Sequence, residues 1–143
     1  MPNYYSPMKT ILIDSTKEVK TYLKQINHHL ISEIIDCSNA IINNNKIDVK
    51  IKWNSLCFYI DNVPQTNSAK DYLSYIVVFN LRKKEEVLLV FPNGKLIEHE
   101  SENFNRDFKD SRSTYLIKKG KYNPEMRMEI VEIIEKLIKK ISA

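Results

Sequence analysis

The chain has 143 residues, 43% of them apolar, and its 22 basic and 18 acidic side chains leave a net charge of +4. This length predicts one domain, 1–143 with a structured core over 15–141, and such a domain folds without metal or disulfide support. With only two glycines, the sequence excludes the glycine-rich loops that bind dinucleotide or nucleoside triphosphate phosphates.

The N-terminus and the cysteines indicate a cytoplasmic protein. Residues 1–15 lack the basic and apolar regions of a secretory signal. The longest apolar run, 72–81, is half the length of about 20 residues that a membrane-spanning helix needs. Cys37 and Cys57 lie far apart without a C-x-x-C spacing, which favours two buried, reduced thiols.

A helical pattern follows Ser15, which forms a capping box with Glu18. One apolar stripe has helical spacing and comprises Val19, Leu23, Ile26, Leu30, Ile34, Cys37 and Ile41. A second apolar row lies on another side and comprises Ile31, Ile35 and Ile42. The C-terminal half of this helical segment is therefore buried on two sides, broken into a second helix, or used in self-association as a homodimer. Asparagines at 43–45 end the pattern.

The pattern then changes to the period of two that is typical of a strand. Its apolar row is Ile47, Val49, Ile51 and Trp53, and its outer row is Lys46, Asp48, Lys50 and Lys52. By default, Trp53 packs in the core and Asn54 belongs to the turn that leads into a partner strand over 56–60. The polar segment 61–70 is predicted to be a loop.

Two further β-rich runs, 72–81 and 86–91, predict a second hairpin with the charged tip 82–85. After a turn at 92–94, we expect a short strand over 95–98.

Residues 101–111 predict a loop or a single helical turn, and 113–118 predict a last strand. Asn123 and Pro124 then begin a C-terminal helix. Together these elements predict an α+β two-layer sandwich: an N-terminal helical segment, an antiparallel sheet of about five to six strands, and a C-terminal helix. We expect the helices to cover one sheet face and to leave the lysine-bearing face open.

Two short motifs resemble the YdhG-like family, a domain of unknown function in small bacterial proteins. The I-K-W-N run at 51–54, followed by Phe58, and the F-N-L-R run at 79–82 match in the family's order. The resemblance covers 15–141. Departures are Leu56 in place of the usual Pro, Cys57 where Ser is frequent, and Phe91 near the position of a frequent His.

The resemblance implies a frataxin-like sandwich, and for some members an intracellular iron chaperone, which is the alternative function. The residues do not favour it, because lysines are mixed with the carboxylates of the first helix and strand. His29, Glu33 and Asp36 could share a helix face, but we interpret this face as solvated. No metal site and no cofactor are predicted.

Nucleic acid is not favoured, because the charge surplus is small and no known binding module is present. Catalysis is not predicted either, since the three histidines have no motif context and Cys57 is expected to be buried. The sequence instead predicts non-enzymatic binding of a small ligand or a protein partner. The sharpest hypothesis is an amphipathic pocket for a small anion at one end of the sheet, formed by Lys52, Trp53, Asn54, Asn80 and Arg82.

Overall fold

A computed structural model describes residues 17–43, 47–60 and 74–142. Its three α-helices are α1 (Lys17–Gln25), α2 (Ile31–Ile42) and α3 (Pro124–Ser142). Its strands are β1 (Asp48–Lys52), β2 (Ser55–Tyr59), β3 (Tyr75–Asn80), β4 (Glu86–Phe91), β5 (Phe104–Asn105) and β6 (Ser113–Lys118). The strands form one antiparallel sheet in the order β1-β2-β3-β4-β6-β5, which confirms the α+β prediction. No helix in the described ranges is long and apolar enough to cross a bilayer.

The N-terminal helical segment is broken, which resolves one alternative that the sequence leaves open. Asn27 adopts a φ of 49°, so the chain changes direction between α1 and α2. The buried ring of His28 stabilises the break: its Nδ1 accepts a hydrogen bond from the Leu30 backbone N–H at 2.9 Å. Its Nε2 lies 2.7 Å from the Lys83 carbonyl oxygen and 3.0 Å from that of Glu86, so it donates. The predicted N-cap Ser15 and the predicted loop 61–70 lie outside the described residues.

The core lies between the helices and one face of the sheet. Strand register places one apolar row across all six strands on this face, and it consists of Ile51, Leu56, Phe79, Leu89, Tyr115 and Phe104. Five of these residues are at most 5% exposed, and Ile51 packs against them partly buried. Ile47 and Val49 are also buried, as predicted. The helices contribute Cys37 and other residues of the predicted stripe, together with Leu137 of α3.

The prediction that Trp53 continues the inward row is wrong. Lys52 pairs with Ser55, so Trp53 and Asn54 form a two-residue hairpin turn instead of a strand continuation. Both have positive φ, 54° and 56°, as a type I′ turn requires. This turn ends the period-two alternation one residue earlier than expected, and the Trp53 side chain is 62% exposed.

The segments between β4 and β6 also differ from the prediction. Residues 95–98 do not form a strand, because the chain enters a short 3-10 helix, Gly94–Leu96, packed against β6. A Cβ on Gly94 would lie 2.4 Å from the Ser113 Cβ, so this close approach requires glycine. Within 101–111, residues 104 and 105 form the edge strand β5 because buried Phe104 pairs opposite Tyr115.

The C-terminal helix begins where the sequence predicts. Asn123 Oδ1 accepts a hydrogen bond from the Met126 backbone N–H at 2.8 Å. An ion-pair cluster joins α3 to α2: Arg127 Nη1 lies 3.0 Å from Asp36 Oδ2, and the Tyr122 hydroxyl donates to the same oxygen at 2.7 Å. The helices α2 and α3 are thereby held together on one side of the sheet.

Candidate functional site

The sheet face opposite the core is partly apolar and carries exposed cations at its margins. Register places Val78 beside Val90, and both side chains are half-buried on this face. In the next row towards the β1–β2 turn, Asn80 lies opposite Leu88. An open face with such aliphatic side chains differs from the charged solvated face that the lysine row alone predicts.

A trough with a volume of about 630 Å³ crosses this face, a size within the usual range for small-molecule sites. Its lining includes Trp53, Asn54, Asn80 and Arg82, four of the five predicted site residues. Val78 and Val90 form its floor. We call this cavity the Trp53–Arg82 trough.

The β1–β2 turn forms one wall of the trough. The Trp53 ring meets the Tyr75 ring edge-on, with centroids 5.5 Å apart and an interplanar angle of 81°. Ser55 Oγ donates to the Trp53 carbonyl oxygen at 3.3 Å, and the Tyr22 hydroxyl of α1 donates to the Asn54 carbonyl oxygen at 3.0 Å. The turn is therefore held both by the sheet and by α1.

Arg82 provides positive charge near the end of β3. Its backbone N–H donates to Asn80 Oδ1 at 3.1 Å, and this local hydrogen bond sets the chain direction after the strand. The guanidinium is exposed and has no hydrogen bond or ion pair with any residue in the described ranges 17–43, 47–60 and 74–142. Arg82 is thus an available cation at the rim of a partly apolar cavity.

The opposite end of the trough is formed by Pro92, Asp110 and Arg112. Arg112 Nε lies 3.3 Å from Asp110 Oδ1, and its guanidinium carbon lies 4.8 Å from the centroid of the Phe108 ring. Because Asp110 compensates its charge, Arg112 attracts an anion less than Arg82 does. Asn80 pairs with Leu88, which is four residues from Pro92 along the chain, so the trough extends over about 13 Å from Asn80 to Pro92.

Lys52 is the predicted site residue that does not line the trough. Its Nζ bonds to the Tyr75 hydroxyl and lies 5.0 Å from the Trp53 ring centroid and 4.6 Å from that of Tyr75. Lys50 stacks similarly on Tyr59 and Tyr75, at 4.5 and 5.2 Å. Lys52 therefore stabilises the positions of the Trp53 and Tyr75 rings and does not line the cavity.

Cys57 does not offer a nucleophile on this face. Burial raises the pKa of its thiol to about 11, although the nearby charges of Lys50 and Lys52 act in the opposite direction. Burial and the charge of Asp36 raise the pKa of Cys37 to about 12. Both cysteines are free and buried, as predicted.

The structure separates the residues that could share a metal on the first helix. His29 Nδ1 lies 3.4 Å from Glu85 Oε2, whereas Asp36 binds Arg127 and Tyr122. Across the three described ranges, no group of three or more His, Cys, Asp or Glu side chains could hold a metal ion.

A polar network that sequence spacing does not reveal lies between β6 and α3. The Tyr115 hydroxyl donates to Glu129 Oε1 at 2.6 Å, and His99 Nε2 lies 2.9 Å from Glu129 Oε2. Lys136 Nζ lies 3.0 Å from His99 Nδ1. Burial and the Glu129 carboxylate raise the pKa of Tyr115. Because Tyr115 is fully buried, this network stabilises the packing of α3 against β6.

Two larger hollows are less suited to a small ligand. One, of about 820 Å³, surrounds the outer side of α3 and carries Glu125, Glu132 and Glu135, an acidic surface. The other, of about 750 Å³, lies beside Leu116 and Lys118, and its lining includes Glu102 and three asparagines but no aromatic side chain. The Trp53–Arg82 trough combines an exposed aromatic ring, an apolar floor and a cation that no described residue neutralises.

Comparison with known proteins does not extend this description. No protein-family model, curated protein or solved structure matches the chain. The resemblance to the YdhG-like family remains a prediction from the two sequence motifs.

Proposed function

We propose that this protein binds a small organic anion in the Trp53–Arg82 trough, as a binding protein without catalytic activity. The observation that carries the proposal is the exposed guanidinium of Arg82, which has no ionic partner within the described part of the chain and lies at the rim of a cavity with an apolar floor. Small-molecule sites typically combine an apolar surface with a few placed polar groups that set orientation.

Asn80 adds a second polar group to the same rim. Its Oδ1 is occupied by the Arg82 backbone N–H, which leaves the Nδ2 amide group as a donor toward the trough. A carboxylate or phosphate oxygen could accept from both Asn80 and Arg82. Iron chaperoning, the alternative, has no supporting observation among the described residues.

An NMR titration with propionate and with inorganic phosphate at constant ionic strength tests the proposal. We expect saturable chemical-shift changes, with an affinity about tenfold weaker in Arg82→Ala because a charge-assisted hydrogen bond is lost.

Lys83→Ala is the matched control, because this substitution removes the same charge from the same turn. Lys83 does not line the trough. We expect it to bind like the wild type. Equal affinity of Arg82→Ala and wild type, or the absence of saturable shifts, would contradict the proposal.

A further inference from the structure

Trp53 occupies a position that folding alone does not explain. A bulky side chain with a φ of 54° is disfavoured, and Asn or Gly suits the first central position of a type I′ turn better. The side chain is 62% exposed, so it gains little from burial. Its indole N–H has no hydrogen-bond partner among the described residues.

The indole is nevertheless held in a defined orientation. The edge-on contact with Tyr75 and the ammonium group of Lys52 at 5.0 Å from its centroid limit the positions of the ring. Trp53 thus presents an oriented aromatic surface to the trough.

The floor of the trough suits a flat apolar group. Val78 and Val90 are direct cross-strand neighbours, and their half-buried side chains lie side by side. A planar ring placed on them would contact the indole of Trp53 at the wall, whereas a purely polar anion would leave both surfaces in water.

The charge at the rim favours a monoanion. Arg82 has no ion pair among the residues that the structure describes, whereas Asp110 compensates the charge of Arg112, so the lining carries about one positive charge in excess. A single guanidinium can form two parallel hydrogen bonds with one carboxylate. A phosphate dianion would require further cations.

From these four observations we infer that the ligand of the Trp53–Arg82 trough is an aromatic carboxylate, whose ring lies against Trp53 and whose carboxylate binds Arg82. The inference rests on the proposed function and names its ligand class. Cyclohexanecarboxylate, which has the same number of carbon atoms and the same charge as benzoate but a puckered ring, is the matched ligand that isolates the aromatic contribution.

The test is a ligand-observed NMR titration of the full chain with benzoate, cyclohexanecarboxylate, benzamide and phenyl phosphate. We expect benzoate to bind about fivefold more tightly than cyclohexanecarboxylate, and more tightly than the other two. Trp53→Gly, which suits the positive φ of the turn, should remove the preference for benzoate, and Trp53→Phe should retain part of it. Thermal unfolding of both variants verifies that they fold.

The outcomes separate this inference from the proposed function. If benzoate and cyclohexanecarboxylate bind equally and both weaken in Arg82→Ala, the aromatic ligand is wrong and anion binding stands. Tighter binding of phenyl phosphate than of benzoate would overturn the carboxylate assignment. If benzamide binds as tightly as benzoate and Arg82→Ala changes neither affinity, both the inference and the proposed function are overturned.

Discussion

The Tyr22 hydroxyl of α1 donates a hydrogen bond of 3.0 Å to the Asn54 carbonyl oxygen, across 32 residues of sequence. The loop after α1 holds the β3–β4 turn at the same end of the sheet, because the His29 backbone N–H donates to the Lys84 carbonyl oxygen at 3.0 Å. His28 binds the carbonyl groups of Lys83 and Glu86 in the same place. One short segment thus positions both turns that carry Trp53 and Arg82.

Tyr22→Phe should reduce both stability and anion affinity. Loss of one hydrogen bond lowers the free energy of unfolding by about 1 kcal/mol, and a less restrained β1–β2 turn should weaken binding about twofold. Urea unfolding and the propionate titration measure the two effects. Tyr122→Phe is the control, since it loses a hydrogen bond to Asp36 on the helical side and should destabilise without changing affinity. Unchanged affinity in Tyr22→Phe would show that α1 does not position the trough.

Replacing Trp53 by Gly and by Ala isolates the backbone conformation of the turn. Both variants lose the same ring contacts with Tyr75 and Lys52. With a φ of 54°, Ala is strained, so Trp53→Gly should be more stable than Trp53→Ala by about 1 kcal/mol. Chemical denaturation of the pair measures the difference. Equal stability, or a more stable Ala variant, would contradict the positive φ.

Much of this fold can be predicted from the sequence, because local periodicity and capping signals dominate its long elements. β6 and α3 begin at the predicted residues, Ser113 and Pro124. A break is among the alternatives that the sequence leaves open, but its position at Asn27 could not be predicted. The apolar stripe continues through it, and the residue that stabilises it, His28, binds carbonyl groups more than 50 residues away.

Part of the candidate site can also be predicted from the sequence, because it depends on the pairing of neighbouring strands. The hairpin register brings Asn80 and Arg82 to the end of the sheet that carries the β1–β2 turn, and four of the five residues do line one trough. The sequence places Trp53 in the core because period two extends through it. Asn54 indicates a turn, but without a glycine no local signal shows that the turn begins at Trp53. Asp110 and Arg112 come from a loop whose path depends on the tertiary contact between Gly94 and Ser113.

Gly94→Ala should lower the free energy of unfolding by about 2 kcal/mol, because the new Cβ would lie 2.4 Å from Ser113 Cβ and 2.5 Å from its Oγ. Adding Ser113→Gly removes both atoms, so the double variant should lose less than the sum of the single losses. Gly120→Ala is the control for a glycine replacement without a steric clash, since no atom lies within 4 Å of its added Cβ. Additive losses in thermal unfolding would contradict the close packing.

Glu129→Gln should change the acid dependence of stability. Burial acts to raise the pKa of Glu129, but hydrogen bonds from Tyr115, His99 and Ser101 and the charge of His99 outweigh it and lower the pKa from its usual 4.5. The carboxylate therefore stabilises the fold above about pH 4.5, and this contribution is lost as the pH falls through the lowered pKa.

Wild type and Glu129→Gln should consequently differ most in free energy of unfolding near pH 7 and converge near pH 3. Urea unfolding across this range measures the effect. Glu102→Gln, at an exposed position, removes the same charge and should keep a pH dependence close to that of the wild type. A constant difference between wild type and Glu129→Gln at all pH values would exclude the lowered pKa.

The most direct test of the central claim is to locate bound benzoate on the protein in a ¹H–¹⁵N NMR spectrum. Because Trp53 is the sole tryptophan in the sequence, its indole N–H gives one assigned probe at the trough. The account predicts saturable shifts of this signal and of the Arg82 backbone N–H, with the same affinity for both, and loss of the shifts in Arg82→Ala. Saturable shifts confined to the hollow beside Leu116 and Lys118, which Lys121 also lines, with the Trp53 and Arg82 signals unchanged, would contradict it.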